Sequence, residues 1–173
     1  LIYKGGKMKV TNTKQVKNLF TWLHGVASKD ASRPVLMAIH VKGKTMEATD
    51  GHMLAIAMLD EPILEDGLWR YEGATKESII LEPMVGEYPD VKMIVDYMRH
   101  GVKDIRQVFI SPYLMAKMCG KFFSVQLQSN GESLLMGYSN ENGMYPPGKY
   151  IGILMGMRKE SGYDLMSGFE EYV

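Results

Sequence analysis

The 173-residue sequence predicts a single α+β domain made of two β-α-β-β-β halves, with the helices on one face of antiparallel sheets. Two observations predict it. An amphipathic helical stretch followed by three alternating strand-like runs occurs near each end of the chain, and glycine-centred turns separate those runs at strand-length intervals. The halves share little sequence, so the repeat is one of architecture.

The first half, residues 1–61, opens with a short strand near Met8–Val10. From Thr11 the period becomes helical: Thr11, Asn12 or Thr13 is available as N-cap, and Val16, Leu19, Phe20 and Leu23 recur at three- and four-residue spacing. Lys14, Lys17, Thr21 and His24 fall roughly 140° from the middle of that stripe, so the helix has one apolar and one basic face. Gly25 and the polar run Ser28–Ser32 end it. The segment from Arg33 to Ile56 reads as strand, hairpin turn, strand, tight turn, strand, with Gly43 and Gly51 supplying the turns.

Residues 62–103 form a connecting region whose topology the pattern leaves open. Within it Leu68–Tyr71 and Ser78–Leu81 look like strands, and Asp90 is placed to cap a helix through Met98. The second half, residues 104–158, repeats the order: a strand at Val108–Ile110, a helix started by Ser111-Pro112, then strands at Ser124–Gln128, Ser133–Tyr138 and Tyr150–Met157. On this helix Leu114, Met115 and Met118 face inward, while Lys117 and Lys121 do not. Residues 159–173 form a C-terminal tail, acidic beyond Lys159.

A hydrophobic share of 46% with 23% charged residues excludes disordered and collagen-like classes. The apolar runs fall short of the roughly 20 residues a membrane span needs, and no stretch has the layout of a secretory signal, so no membrane partner and a cytoplasmic location are expected. Cys119 is the only cysteine, which rules out an intrachain disulfide and a thiolate zinc site. The formal charge is zero, yet the chain up to Lys44 carries one acid, Asp30, against many lysines. That neutral total hides a basic region able to meet phosphate.

Catalysis finds little support. His24, His40, His52 and His100 lack metal-ligand spacing, and no phosphate-cradling glycine loop occurs. Asp50 and His52 are an acid and a base without a nucleophile, and Cys119, at a predicted helix end, reads as a small buried thiol. No enzyme activity, cofactor or metal is expected. Taken alone, Thr49-Asp50-Gly51-His52 is a tight turn in which aspartate bonds the backbone and glycine takes positive φ. Taken alone, the basic helix face is a solvated one, and the methionines, 15 in the chain, are core.

Three strings, in order, point further. Arg33-Pro34-Val35-Leu36 followed by Ala48-Thr49-Asp50-Gly51-His52-Met53-Leu54-Ala55 resembles the middle domain of the bacterial DNA polymerase III beta-subunit sliding clamp. Glu87-Tyr88-Pro89-Asp90 resembles that family's linker before its third domain, and Ile153-Leu154-Met155-Gly156-Met157-Arg158 the end of the third. The chain departs at Met53, where the family usually has arginine, and at Gly156, where it usually has proline. It also departs in size. Family members have three domains of two halves each and close a ring as dimers, whereas this chain resembles the first half of the middle domain joined to the last half of the third.

The resemblance implies a DNA-clamp-like domain serving as a replication processivity accessory, with duplex DNA and a DNA polymerase, or another protein bearing a clamp-binding peptide, as partners. Helices line the family's ring, so it implies sequence-independent phosphate contacts from Lys14, Lys17, His24, Lys117 and Lys121. It also implies a hydrophobic peptide pocket lined by Thr49, Gly51, His52, Met53, Leu54, Ile153, Met155, Met157 and Arg158. A chain this short encircles DNA only as a homo-oligomer, of about six units in the family's geometry. The alternative is a clamp-fold protein-interaction module, such as a phage-borne one, that does not bind DNA.

Overall fold

The computed structural model describes residues 2–4, 7–93, 112–122, 124–129 and 133–155. The order is β1 (Ile2–Lys4), β2 (Lys7–Thr11), α1 (Lys14–Val26), a 3-10 turn (Pro34–Met37), β3 (Ile39–Lys42), β4 (Thr45–Thr49) and β5 (Met53–Leu59). There follow β6 (Gly67–Ala74), β7 (Ser78–Met84), α2 (Pro112–Cys119), β8 (Ser124–Ser129), β9 (Ser133–Ser139) and β10 (Gly148–Met155). The α+β architecture is as the sequence predicts, with α1 and α2 on one face of the sheet. The strand at Val108–Ile110, the cap at Ser111 and the tail lie outside the described residues.

The described strands join one antiparallel sheet in the order β1-β2-β7-β6-β3-β4-β5-β10-β9-β8. The connecting region finds its place here: β6 and β7 lie between β2 and β3, with Val10 opposite Ile79 and Ile39 opposite Trp69. The two halves meet along β5 and β10, in register from Gly148 opposite Leu59 to Leu154 opposite Met53.

One expected strand is corrected. The first strand of the Arg33-to-Ile56 segment starts at Ile39, because Pro34 opens a 3-10 turn instead. Proline fixes φ and lacks the N–H a ladder needs. The turn is held by the Leu36 amide on Arg33 O (3.1 Å) and the Ser28 amide on Leu36 O (2.9 Å).

Helix α1 starts where Thr13 accepts the Val16 amide through its hydroxyl at 3.2 Å, one of the three caps the sequence offered. It runs one residue past Gly25, to Val26. Its stripe of Leu19, Phe20, Leu23 and Val26 is fully buried on the sheet, over the small residues Ala48, Ala55 and Ala57. Burying such large aliphatic and aromatic side chains contributes about 1.5–3 kcal/mol each.

Trp22 joins the helices. Its indole N–H donates to Met118 O at 2.9 Å, and its ring meets Phe122, Tyr138, Tyr145 and Tyr150 at centroid distances of 5.1–6.2 Å.

Strand β5 is covered on both sides. Met53, Ala55, Ala57 and Leu59 face the helices, while Leu54 and Ile56 belong to a smaller outer cluster with Val91 and Ile153. Tyr88, Met58 and Ile151 pack against that cluster. The Tyr88–Val91 segment therefore covers part of the face opposite the helices.

Candidate functional site

Two regions gather the residues singled out in the sequence. The first is the exposed side of α1 and α2. Lys14, Lys17 and Thr21 are exposed on α1, and His24 is half-buried one turn further on. Lys29, beyond the helix, turns back onto it: its ammonium donates to His24 O at 2.8 Å and lies 3.0 Å from Nε2 of the same histidine. Burial and then the Lys29 charge hold His24 below its ordinary pKa; burial and then Lys117 hold Lys29 below its own. His24 of α1, Lys29 of the following loop and Lys117 of α2 thus lie close together.

On α2, the Lys117 ammonium lies 5.0 Å from the centre of the Tyr113 ring. Lys121, just past α2, donates to Asn18 Oδ1 at 2.8 Å, and Asn18 donates to Met144 O at 2.7 Å. A cavity of about 240 Å³ opens between the helices, with Lys117 and Lys121 on one wall and Thr21 and Gly25 on the other. The structure brings Lys14, Lys17, His24, Lys117 and Lys121 to one side of the sheet. Sequence reasoning missed Lys29, because its position depends on how the loop after the helix turns.

The second region is the Thr49 turn. Asp50 Oδ1 accepts the amides of His52 and Met53, each at 2.8 Å, and Gly51 adopts φ +93°. The Thr49 hydroxyl donates to Met53 O at 2.6 Å and accepts the Gly51 amide at 3.1 Å. The turn is thus rigidly closed by its own side chains. The Met155 amide donates to His52 O at 2.9 Å, which ties the end of β10 to it.

Thr49, Gly51, His52, Met53, Leu54, Ile153 and Met155 surround one depression there; Met157 and Arg158 lie outside the described residues. The depression is small, about 50 Å³. Met155, 47% exposed, forms its rim. Arg33 was not foreseen here: a Cβ on Gly51 would lie 3.2 Å from its guanidinium.

Among the described residues no cluster of three or more His, Cys, Asp or Glu could hold a metal, and no helix is long and apolar enough to cross a membrane. Burial raises the Cys119 thiol pKa, which disfavours a thiolate.

A continuous antiparallel sheet with two lysine-bearing helices packed on one face defines the class: a DNA-clamp-like α+β domain. Solved structures of bacterial DNA polymerase III beta subunits share this fold. The subunit from Borrelia burgdorferi, solved with a natural product, superposes with a TM-score of 0.58 at 11% identity, over 92% of this chain and 66% of its own. The sliding clamp from Bacillus subtilis gives 0.54 at 14% identity, over 92% and 67%. That from Pseudomonas aeruginosa, bound to griselimycin, gives 0.52 at 14%, over 91% and 67%. The chain spans about two thirds of the length of these clamps. No protein-family model matches the sequence, and no curated protein matches it by sequence.

Proposed function

We propose that this chain is a sliding-clamp-like accessory of DNA replication, a non-enzymatic domain that holds duplex DNA without reading its sequence and docks a polymerase or repair protein by a short hydrophobic peptide. The observation that carries the reading is the clamp fold with lysines of both helices on one face of the sheet. Sliding needs many weak, sequence-independent contacts, and exposed lysines offered to phosphate supply them.

The Thr49 depression is the docking point in this reading. Its rigid turn forms one wall and the end of β10 the other. A docked side chain meets Met155 at the rim, where an unbranched thioether adapts to different shapes.

A second reading, a clamp-fold interaction module that does not bind DNA, draws on the state of the cations. Lys29 is engaged by His24 and Lys121 by Asn18, while Lys14 and Lys17 on α1 stay exposed. Binding to duplex DNA separates the two. Affinity that falls steeply with salt, and falls further in Lys14→Glu/Lys17→Glu, supports the clamp reading; no binding at low salt favours the module. A peptide that binds equally well after Met155→Asp places its docking elsewhere. Molar mass in solution decides encirclement, since a domain of this size surrounds DNA only as a closed oligomer.

A further inference from the structure

We propose that the sheet face opposite the helices carries a second docking groove, separate from the Thr49 depression, for an acidic peptide segment of a partner protein. The groove is a cavity of about 470 Å³ whose floor is two cross-strand rows. His40, Glu47 and Ile56 form one row and Lys42, Thr45 and Met58 the other, each in register across β3, β4 and β5. The wall is the Tyr88–Lys92 segment, fixed by Val91 in the outer cluster and by the Tyr88 ring stacked on His40 at 4.8 Å. Its volume falls within the range of ligand-binding clefts.

The occupant follows from the hydrogen-bonding inventory. One oxygen of each groove carboxylate is engaged: Glu47 Oε2 lies 3.0 Å from His40 Nδ1, and Asp90 Oδ1 accepts the Lys92 amide at 3.0 Å. The lysines at its rim are not. The ion pairs among the described residues involve neither Lys42 nor Lys92, both exposed at the rim. The Tyr88 hydroxyl is enclosed, and its proton finds no acceptor. Burial and then the Glu47 charge hold that phenol well above its usual range, against a weaker opposite effect of the Thr49 amide, so it stays a donor.

A groove with spare donors at its rim and the apolar Ile56 and Met58 in its floor suits a segment that alternates carboxylates with apolar side chains. These strands lie inside the sheet, so the segment engages through side chains rather than by adding a strand.

The test is fluorescence anisotropy on the full chain, using a labelled Glu-Leu-Asp-Phe-Glu-Leu peptide and its Gln-Leu-Asn-Phe-Gln-Leu counterpart. At low salt the acidic peptide binds about tenfold tighter, and Lys42→Glu/Lys92→Glu abolishes that advantage while Met155→Asp preserves it. Both lysines are exposed, so the double variant folds. Equal binding of the two peptides, or an advantage that survives the double variant, overturns the proposal. An advantage lost in Met155→Asp alone assigns the peptide to the Thr49 depression instead. Displacement by millimolar inorganic phosphate reveals a general anion site, and binding that appears only after removal of residues 159–173 makes the chain's own acidic end the occupant; either result overturns the partner-peptide assignment.

Discussion

Replacing Trp22 by phenylalanine tests whether one side chain holds the two helices together. Trp22 is 4% exposed, and its indole N–H reaches Met118 O, one of the last-turn carbonyls of α2 that no helical amide satisfies. Phenylalanine leaves that buried acceptor unpaired, at a cost of about 1–3 kcal/mol. It also shrinks a ring that meets four aromatic neighbours, which adds roughly 1 kcal/mol of lost packing. The total is about 2–4 kcal/mol, which at about 2–4 °C per kcal/mol for a domain this size lowers Tm by roughly 5–15 °C. Urea and thermal unfolding followed by circular dichroism measure it, with hydrogen exchange on α2 as a second readout. A loss below about 0.5 kcal/mol, with α2 amides as protected as before, would refute the account of Trp22 as the clasp between the helices.

Gly148→Ala drives a Cβ into Met58 O at φ +156°, where only backbone movement relieves the clash, so unfolding experiments should show a loss of about 2 kcal/mol or more. His24 binds its proton less readily folded than unfolded, so its contribution to stability is complete above 6.5 and is lost as pH falls through the lowered folded value. The urea midpoint should therefore drop between about pH 7 and pH 5, and drop less in Lys29→Met, which removes one of the two causes. Under the clamp reading, each of Lys14→Gln and Lys17→Gln lowers the slope of log affinity against log salt for duplex DNA by about 1. An unchanged slope in both means those lysines do not meet phosphate.

Local chemistry was legible wherever it is written in neighbouring residues. Val16, Leu19, Phe20 and Leu23 announce the buried face of α1, and Asp50 with Gly51 announces the turn, because both depend on interactions within a few positions. The placement of β6 and β7 was not legible, since Met8 finds Leu81 and Ile39 finds Trp69 through the whole sheet rather than through any local signal. The residues gathered at the Thr49 turn were reached through a resemblance, because Ile153 and Met155 come from far along the chain. The outer groove escaped notice for a related reason. His40, Glu47 and Tyr88 are unremarkable apart, and only the register of β3 and β4 sets the first two side by side beneath the third.

The seam between β5 and β10 has a consequence for how the chain is made and handled. The seam's first strand reads Met-Leu-Ala-Ile-Ala-Met-Leu, with no charge, proline or glycine, and both its faces are apolar. Its partner is synthesised about ninety residues later. Until β10 arrives, that strand is an open, uncharged edge of the kind that recruits copies of itself into aggregates. Truncation ahead of Gly148 should therefore yield insoluble protein, and the folding chain depends on closing this seam faster than it meets another like it.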